Sequence, residues 1–267
     1  MRYPKGSVQL NESRDLPLLR QILRSEFVTH SQLFEFMRLD HHERSRKSFD
    51  WRLRRLVGRD LIRRQIDPAC TGNSVYSIGT KAAFLLQGAG EYCLVGRGRF
   101  NGKEAERSVL HAMGLNEIHL SLLRTGLLAR WTGSLEIRSQ NELTAFGFAK
   151  DYDAVVAVRT GAGEQRFALE YERSPKPMRY YRDVAASLNR EAHVDRVLYL
   201  VCNYDLLQFV SGFFANSERR VFFGLVKDWH DQLLDMPVCC GSATRCLRFR
   251  DTLDIPATQG EFAGISR

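Results

Sequence analysis

Apolar side chains repeat at helical spacing through three successive segments of the N-terminal third. The first segment, residues 15–27, places four of them on one face: Leu19, Ile22, Leu23 and Phe27. The second begins after Thr29, which lies three residues before Gln32, a spacing typical of a capping box. The third, residues 45–60, has its apolar stripe at Phe49, Leu53, Leu56 and Val57. These patterns predict three helices in close succession.

Two short segments with alternating apolar residues follow the third helix. Residues 61–66 and 74–78 are separated by the turn-forming sequence DPACTGN, which predicts a two-stranded wing. The order helix, helix, helix, wing is typical of a winged helix-turn-helix. A short closing helix and the glycine-rich stretch GAGEYCLVGRGRFNG come next. We therefore expect a winged-helix domain over residues 1–87, a linker over 88–103 and a second domain over 104–267.

Helical and strand patterns alternate in the second predicted domain. We expect a helix over Glu104–Gly126 and another over residues 178–194. The expected strands are 131–138, 153–158, 166–172, 196–203 and 220–226. This order predicts a mixed sheet with helices on its faces. The fold class that follows is α+β in two domains.

Charge is concentrated in the third predicted helix and the wing. The chain carries a net charge of +8, and the window Arg44–Arg64 contains nine basic residues against two acidic ones. A helix fits the DNA major groove, and flanking basic residues neutralise phosphates. Asp50 is a further candidate on the groove-facing side. The predicted DNA-binding residues are Arg46, Lys47, Arg52, Arg54, Arg55, Arg63, Arg64 and Lys81. Winged helices also serve as protein–protein modules, and a basic helix can be merely a solvated face.

Three acidic residues stand out in the sequence DYDAVVAVRTGAGEQRFALEYERSPK. Asp153 opens one predicted strand, while Glu170 and Glu172 end the next. Since alternate residues of a strand share a face, the two glutamates are oriented together. A glycine turn joins the strands, so all three acids can meet at one edge of a sheet. The alternatives are a metal site and a surface hairpin with acidic rims.

The element order and these acids resemble the restriction-endonuclease-like core of the PD-(D/E)xK family. The resemblance implies that Asp153 and Glu170 hold Mg²⁺, which polarises a phosphodiester and activates water. The family pattern has a lysine two residues after the second acid, where this chain has Glu172. Lys176 or Lys150 can supply a displaced ammonium, and Glu172 can add a third carboxylate. The candidate catalytic residues are Asp153, Glu170, Glu172 and Lys176.

The segments HAMGLNEIHLSL and RFALEYERSPKPMRYYRDV, together with the winged helix, resemble the replication-relaxation family of plasmid and mobile-element proteins. The resemblance implies binding of double-stranded DNA, with a nuclease-like domain that is either catalytically silent or an endonuclease. A transcriptional regulator is a further alternative. A homodimer is expected from half-site geometry in such proteins. A relaxase uses a tyrosine nucleophile, and Tyr180 and Tyr181 are adjacent candidates. The sequence has no metal-binding histidine triad to accompany them, so we do not expect a relaxase.

The cysteines and histidines of the sequence do not predict a disulfide framework or a metal site. Six cysteines lack the spacing of a disulfide framework, and Cys239, Cys240 and Cys246 with His230 match zinc-ligand spacing poorly. His111 and His119 are expected to be packing or surface residues. No apolar run is long enough to span a membrane, and the N-terminal sequence lacks the pattern of a signal peptide. We therefore expect no membrane partner and a cytoplasmic location.

Overall fold

The computed structural model describes residues 10–66, 74–92, 103–215, 217, 219–240 and 246–254. The chain divides into two compact units, Met1–Arg124 and Thr125–Arg267. Helices and strands are mixed in both, which confirms the α+β class. The predicted turn at 67–73, most of the predicted linker, Cys70 and Cys93 lie outside the described residues.

Short helices and a small antiparallel sheet make up the N-terminal unit. Its elements are α1 (Asp15–Ser25), β1 (Val28–Thr29), α2 (His30–Leu39), α3 (Arg46–Val57), β2 (Ile62–Ile66), β3 (Ser74–Ile78), α4 (Thr80–Gly88) and α5 (Lys103–Thr125). The sheet order is β1-β3-β2. The predicted capping box is present, since the Thr29 hydroxyl accepts from the backbone N–H of Gln32.

The apolar stripes of the first three helices form the core of this unit. Ile22 of α1, Phe36 of α2 and Phe49 of α3 are each 0% exposed, as their spacing predicts. Helix α5 also belongs here up to Arg124. Its residues Val109 and Ala112 pack against Phe27 and Val75. The sequence interpretation placed this helix in the second domain, whereas its apolar face is covered by the N-terminal unit.

A seven-stranded mixed sheet dominates the C-terminal unit. Its elements are β4 (Leu128–Gly133), α6 (Ser134–Leu143), β5 (Ala154–Thr160), β6 (Gly163–Glu172), α7 (Met178–Leu188), β7 (Arg196–Val201), α8 (Tyr204–Ser211), β8 (Arg220–Leu225), α9 (Val226–Gln232), β9 (Pro237–Cys240), β10 (Leu247–Arg248) and α10 (Phe249–Leu253). The strand order is β10-β9-β8-β7-β6-β5-β4. Only β6–β7 and β7–β8 are parallel pairs among the described strands.

Two predicted elements differ from the structure. The single strand expected over 131–138 is wrong, because β4 ends at Gly133 and α6 begins at Ser134. The Glu136 carboxylate accepts from the backbone N–H of Gly133 and caps the new helix. The helix expected over 178–194 ends at Leu188. The C-terminal end of β7 is followed directly by α8, which the sequence interpretation did not include.

Candidate functional site

Three carboxylates come together where β6 ends. The β5–β6 register pairs Ala154 with Leu169, which places Asp153 beside Glu170. Oδ2 of Asp153 accepts a hydrogen bond of 2.7 Å from the backbone N–H of Tyr171. Glu170 and Glu172 are both buried. Asp153 and Glu170 therefore lie side by side across the hairpin, and the two glutamate side chains are buried rather than solvated.

Both lysines considered from the sequence reach this cluster, and each contacts a different acid. Nζ of Lys150 lies 2.7 Å from Oε1 of Glu170. Nζ of Lys176 lies 3.1 Å from Oε2 of Glu172. The loop before β5 carries Lys150, and the segment after β6 carries Lys176. Ammonium groups are thus present at the acids although position 172 holds a glutamate.

Burial and the neighbouring charges shift the ionisation of these groups. Burial, with a further contribution from Asp153, raises the pKa of Glu170 to about 7 against the opposing effect of Lys150. Burial disfavours the charged form of Lys150, but Glu170, Tyr180 and Asp153 together outweigh it, and the pKa of Lys150 lies above its usual value. The pKa of Lys176 is raised too, because Glu172, Tyr180 and Glu170 together outweigh its burial.

Two tyrosines that the sequence interpretation did not assign to the site complete its walls. Nζ of Lys176 lies 4.4 Å from the ring centroid of Tyr180, and Nζ of Lys150 lies 5.9 Å from the same ring. Tyr199 is the register partner of Glu170 on β7 and is fully buried. Its hydroxyl has no hydrogen-bond partner among the described residues. In the sequence Tyr199 is indistinguishable from the apolar residues of a buried strand.

The carboxylates of the cluster offer a limited donor set for the predicted Mg²⁺. Oε1 of Glu170 is buried and makes no directed hydrogen bond within the described residues, so it has a lone pair available besides its ion pair with Lys150. Mg²⁺ is commonly held by one or two carboxylates with waters and substrate phosphates supplying the rest. Asp153 and Glu170 fit that limited role. Within the described residues no group of three or more His, Cys, Asp or Glu side chains is arranged to hold a metal ion.

The predicted DNA-binding residues fall into two sets. Six of them are on the surface of the N-terminal unit: Arg46, Lys47, Arg54, Arg63, Arg64 and Lys81. Arg63 and Arg64 of β2 donate to the hydroxyls of Thr80 and Ser74. Lys81 pairs with Asp60 at 3.0 Å. The exposed set therefore lies on α3, β2 and the start of α4.

Arg52 is buried and Arg55 is half-buried, and both pair with Asp15, unlike the six exposed members of the predicted DNA-binding set. Arg52 is only 6% exposed and donates to Asp15 at 2.9 Å and to Glu43 at 3.3 Å. Arg55 also pairs with Asp15 and its side chain is 23% exposed. Asp15, at the start of α1, is completely buried. A buried carboxylate requires cationic partners, and these two arginines supply them.

His30 is a residue of this surface that the sequence interpretation missed. Its Nδ1 lies 2.8 Å from Nη2 of Arg46, and its Nε2 lies 2.9 Å from Oδ1 of Asp50. The guanidinium can only donate, so Nδ1 accepts and the ring proton is on Nε2. Burial, followed by the charge of Arg46, lowers the pKa of His30. The neutral ring thus connects two candidate groove-facing residues of α3.

His119 and the described cysteines belong to neither candidate site. His119 packs against Phe36 with ring centroids 5.0 Å apart, and burial lowers its pKa to about 3. Among the described cysteines, Cys202, Cys239, Cys240 and Cys246 are free thiols. Within the described part of the chain, these thiols do not form a group of three or more side chains that could hold a metal ion.

The fold and these sites define a mixed α+β protein with a basic surface on one unit and a buried acid–lysine cluster on the other. No family model matches the chain, and comparisons with curated proteins and with solved structures found no match. In the described part of the chain, no helix has both the length and the apolar character needed to cross a membrane.

Proposed function

We propose that the protein binds double-stranded DNA through its N-terminal unit, as a protein of the replication-relaxation type. Support comes from the order α1-β1-α2-α3-β2-β3 and the sheet order β1-β3-β2, which match a winged helix-turn-helix. The observation that carries the proposal is the set of exposed basic side chains on α3 and β2. Lys47 and Arg54 project from α3, while Arg63 and Arg64 project from β2.

The ion pairs of Arg52 and Arg55 with Asp15 bear on which side of α3 would face DNA. The two arginines fix one side of α3 to α1 through Asp15. The opposite side, with Lys47 and Arg54, is left for the major groove. Arg63 and Arg64 then serve as phosphate contacts from the wing, and these contacts give affinity without sequence information.

Charge reversal on α3 tests the proposal. The variants Lys47→Glu and Arg54→Glu are compared with Lys227→Glu, which reverses an equally exposed charge on α9 of the other unit. Each α3 variant is expected to weaken a duplex gel shift at least about tenfold, because a negative charge facing the major groove is repelled by the polyanionic duplex. The Lys227→Glu control is expected to bind as the unaltered protein does. Unchanged shifts for both α3 variants would refute the proposed surface.

A second candidate function is Mg²⁺-dependent endonuclease activity in the C-terminal unit. The specific observation in its favour is that Lys150 and Lys176 both contact carboxylates of the cluster. This resembles the acid and lysine set of the PD-(D/E)xK family with the ammonium displaced from position 172. Mg²⁺, held by Asp153 and Glu170, would polarise the scissile phosphodiester. Lys176, 39% exposed, would face the substrate and orient a water.

The alternative role of the C-terminal unit is a silent domain used for dimerisation or partner contact. Supercoiled plasmid is incubated with the protein and Mg²⁺ or Mn²⁺, and Asp153→Ala and Glu170→Ala are compared with it. Cutting that both substitutions abolish would refute the silent role. Intact plasmid together with a retained gel shift would refute the endonuclease. A transcriptional regulator would bind duplex DNA without cutting it, and Asp153→Ala and Glu170→Ala would leave that binding unchanged. Light scattering with and without duplex tests the expected homodimer.

A further inference from the structure

Three parallel strands end at the same edge of the large sheet. Glu172, the last residue of β6, is the register partner of Val201, the last residue of β7. Val201 in turn pairs with Leu225, the last residue of β8. Ligands of sheets with parallel strands bind outside the carboxyl ends of those strands. The segments following β6 and β7 therefore leave the sheet where a ligand of the acid–lysine cluster would arrive.

The segment after β6 is basic, with Arg179 and Arg182 exposed and Arg173 and Lys176 half-buried. Arg173, Lys176, Arg179 and Arg182 lie within ten residues, and no acidic residue lies between the first and the last. The side chain of Arg179 is 91% exposed, and its nearest carboxylate, Asp183, is 3.8 Å away at the surface. Lys176 extends from this segment to Glu172. A polyanion would meet a row of cations that leads to the carboxylates.

The segment after β7 presents an aromatic ring to solvent. Tyr204, the first residue of α8, is 68% exposed. Met178, the first residue of α7, is 51% exposed. The two helices are in contact, because the ring centroids of Tyr181 on α7 and Phe209 on α8 are 5.8 Å apart. An exposed ring and an exposed thioether thus begin two adjoining helices, of which α7 carries Arg179 and Arg182.

We propose that this edge binds single-stranded DNA, with a base stacked on Tyr204 and backbone phosphates contacted by Arg173 and Arg179. A positively charged track with exposed aromatic rings is the combination that holds unpaired strands, because every base has a face that can stack. A duplex keeps its bases stacked inside and would use only the cations. The inference rests on the proposal that the protein acts on DNA. It adds that the C-terminal unit binds the DNA as a single strand.

The affinity of the full chain for a fluorescein-labelled single strand of twelve thymidine nucleotides tests this proposal. Tyr204→Ala is expected to weaken single-strand binding about tenfold, whereas Tyr204→Phe, which keeps the ring, restores it. Arg179→Ala is expected to reduce the slope of log affinity against log salt by about 0.7. The control Phe84→Ala removes an exposed ring of the N-terminal unit and is expected to change nothing.

A parallel titration with a blunt duplex separates the two proposals. Tyr204→Ala is expected to leave duplex affinity unchanged, and Lys47→Glu is expected to reduce it. The inference would be overturned if Tyr204→Ala bound the single strand as tightly as the unaltered protein does. It would also be overturned if Tyr204→Phe bound as weakly as Tyr204→Ala. Duplex binding that is insensitive to Lys47→Glu would instead overturn the proposed winged-helix surface, whatever Tyr204 does.

Discussion

The ammonium of Lys150 lies 2.7 Å from a carboxylate oxygen of Glu170, and both side chains are almost enclosed by the protein. Replacing one member of a buried pair leaves an uncompensated charge. This charge is present only above the Glu170 pKa of about 7, so we expect Lys150→Met to lower the free energy of unfolding by about 3 kcal/mol at pH 9. Urea unfolding followed by circular dichroism measures the change.

The matched control removes both charges. The double variant Lys150→Met with Glu170→Leu is expected to recover much of the lost stability, because no buried charge remains. If Lys150→Met were as stable as the unaltered protein, the ion pair would carry no structural weight. A double variant as unstable as the single one would assign the loss to packing.

The raised pKa of Glu170 predicts a pH dependence. Its folded-state pKa, about 7, lies above the ordinary value of 4.5, so the folded state binds the proton more tightly. Between those two values the folded state holds more protons than the unfolded state, and stability therefore falls as pH rises from 4.5 to 7. Glu170→Gln removes this titration. We expect the stability of the unaltered protein, measured relative to Glu170→Gln, to decrease across that window, and a flat difference would contradict the assignment.

Arg52 is predicted to stabilise the fold rather than to bind DNA. Its guanidinium contacts Asp15 and Glu43, two buried carboxylates that its loss would leave with one fewer partner. We expect Arg52→Ala to lower the free energy of unfolding by about 3 kcal/mol. Arg54→Ala, on the exposed side of the same helix, is expected to change it by less than about 0.5 kcal/mol. Thermal unfolding of both variants checks the contrast, and equal effects would refute it.

The sequence predicted well those features that depend on local spacing. Helices α1, α2 and α3 have their apolar residues at helical intervals, and the capping box at Thr29 is complete within four residues. The prediction of one strand over 131–138 was wrong because a short apolar run fits a strand and a helix equally well. The change at Gly133 depends on Glu136 reaching back to cap the helix.

The candidate site shows the same division. A single hairpin fixes how close Asp153 and Glu170 lie, so their proximity was predictable. The partners of the lysines and of Arg52 depend on tertiary packing. Arg52 meets Asp15, which is 37 residues away in the chain. Counting positions on a helix distinguishes an apolar face from a charged one, but it does not reveal that a charge on the boundary is buried.

Gly79 is predicted to be irreplaceable for steric reasons. A Cβ atom at this position would lie 2.4 Å from the carbonyl oxygen of Asp60 and 2.8 Å from that of Leu61. Both are backbone atoms, so relief requires the chain itself to move. We expect Gly79→Ala to cost about 2 kcal/mol of stability. At Gly88 an added Cβ has open space, and Gly88→Ala is expected to be neutral or to stabilise by up to about 1 kcal/mol. Denaturant unfolding of the two alanine variants distinguishes a steric effect from a general sensitivity to alanine.

His30 is predicted to make the N-terminal unit sensitive to acid. The groups facing its ring are Arg46 and Asp50 from α3, Arg64 from β2, and the rings of Phe49 and Tyr76. Protonation would remove the acceptor for Arg46 and place a second positive charge beside that guanidinium. Because the folded-state pKa of His30 is below its usual value of 6.5, the unfolded state binds the proton first as pH falls.

Stability contributed by neutral His30 is therefore complete above pH 6.5 and is lost as the pH falls through the lower, folded-state pKa. His30→Phe keeps an aromatic ring but cannot be protonated. Comparison of this variant with the unaltered protein at pH 8 and pH 5 isolates His30 from other titrating groups. We expect the unaltered protein to lose stability relative to His30→Phe at pH 5, and a parallel decline in both would show that the Arg46 contact does not depend on the ring's protonation.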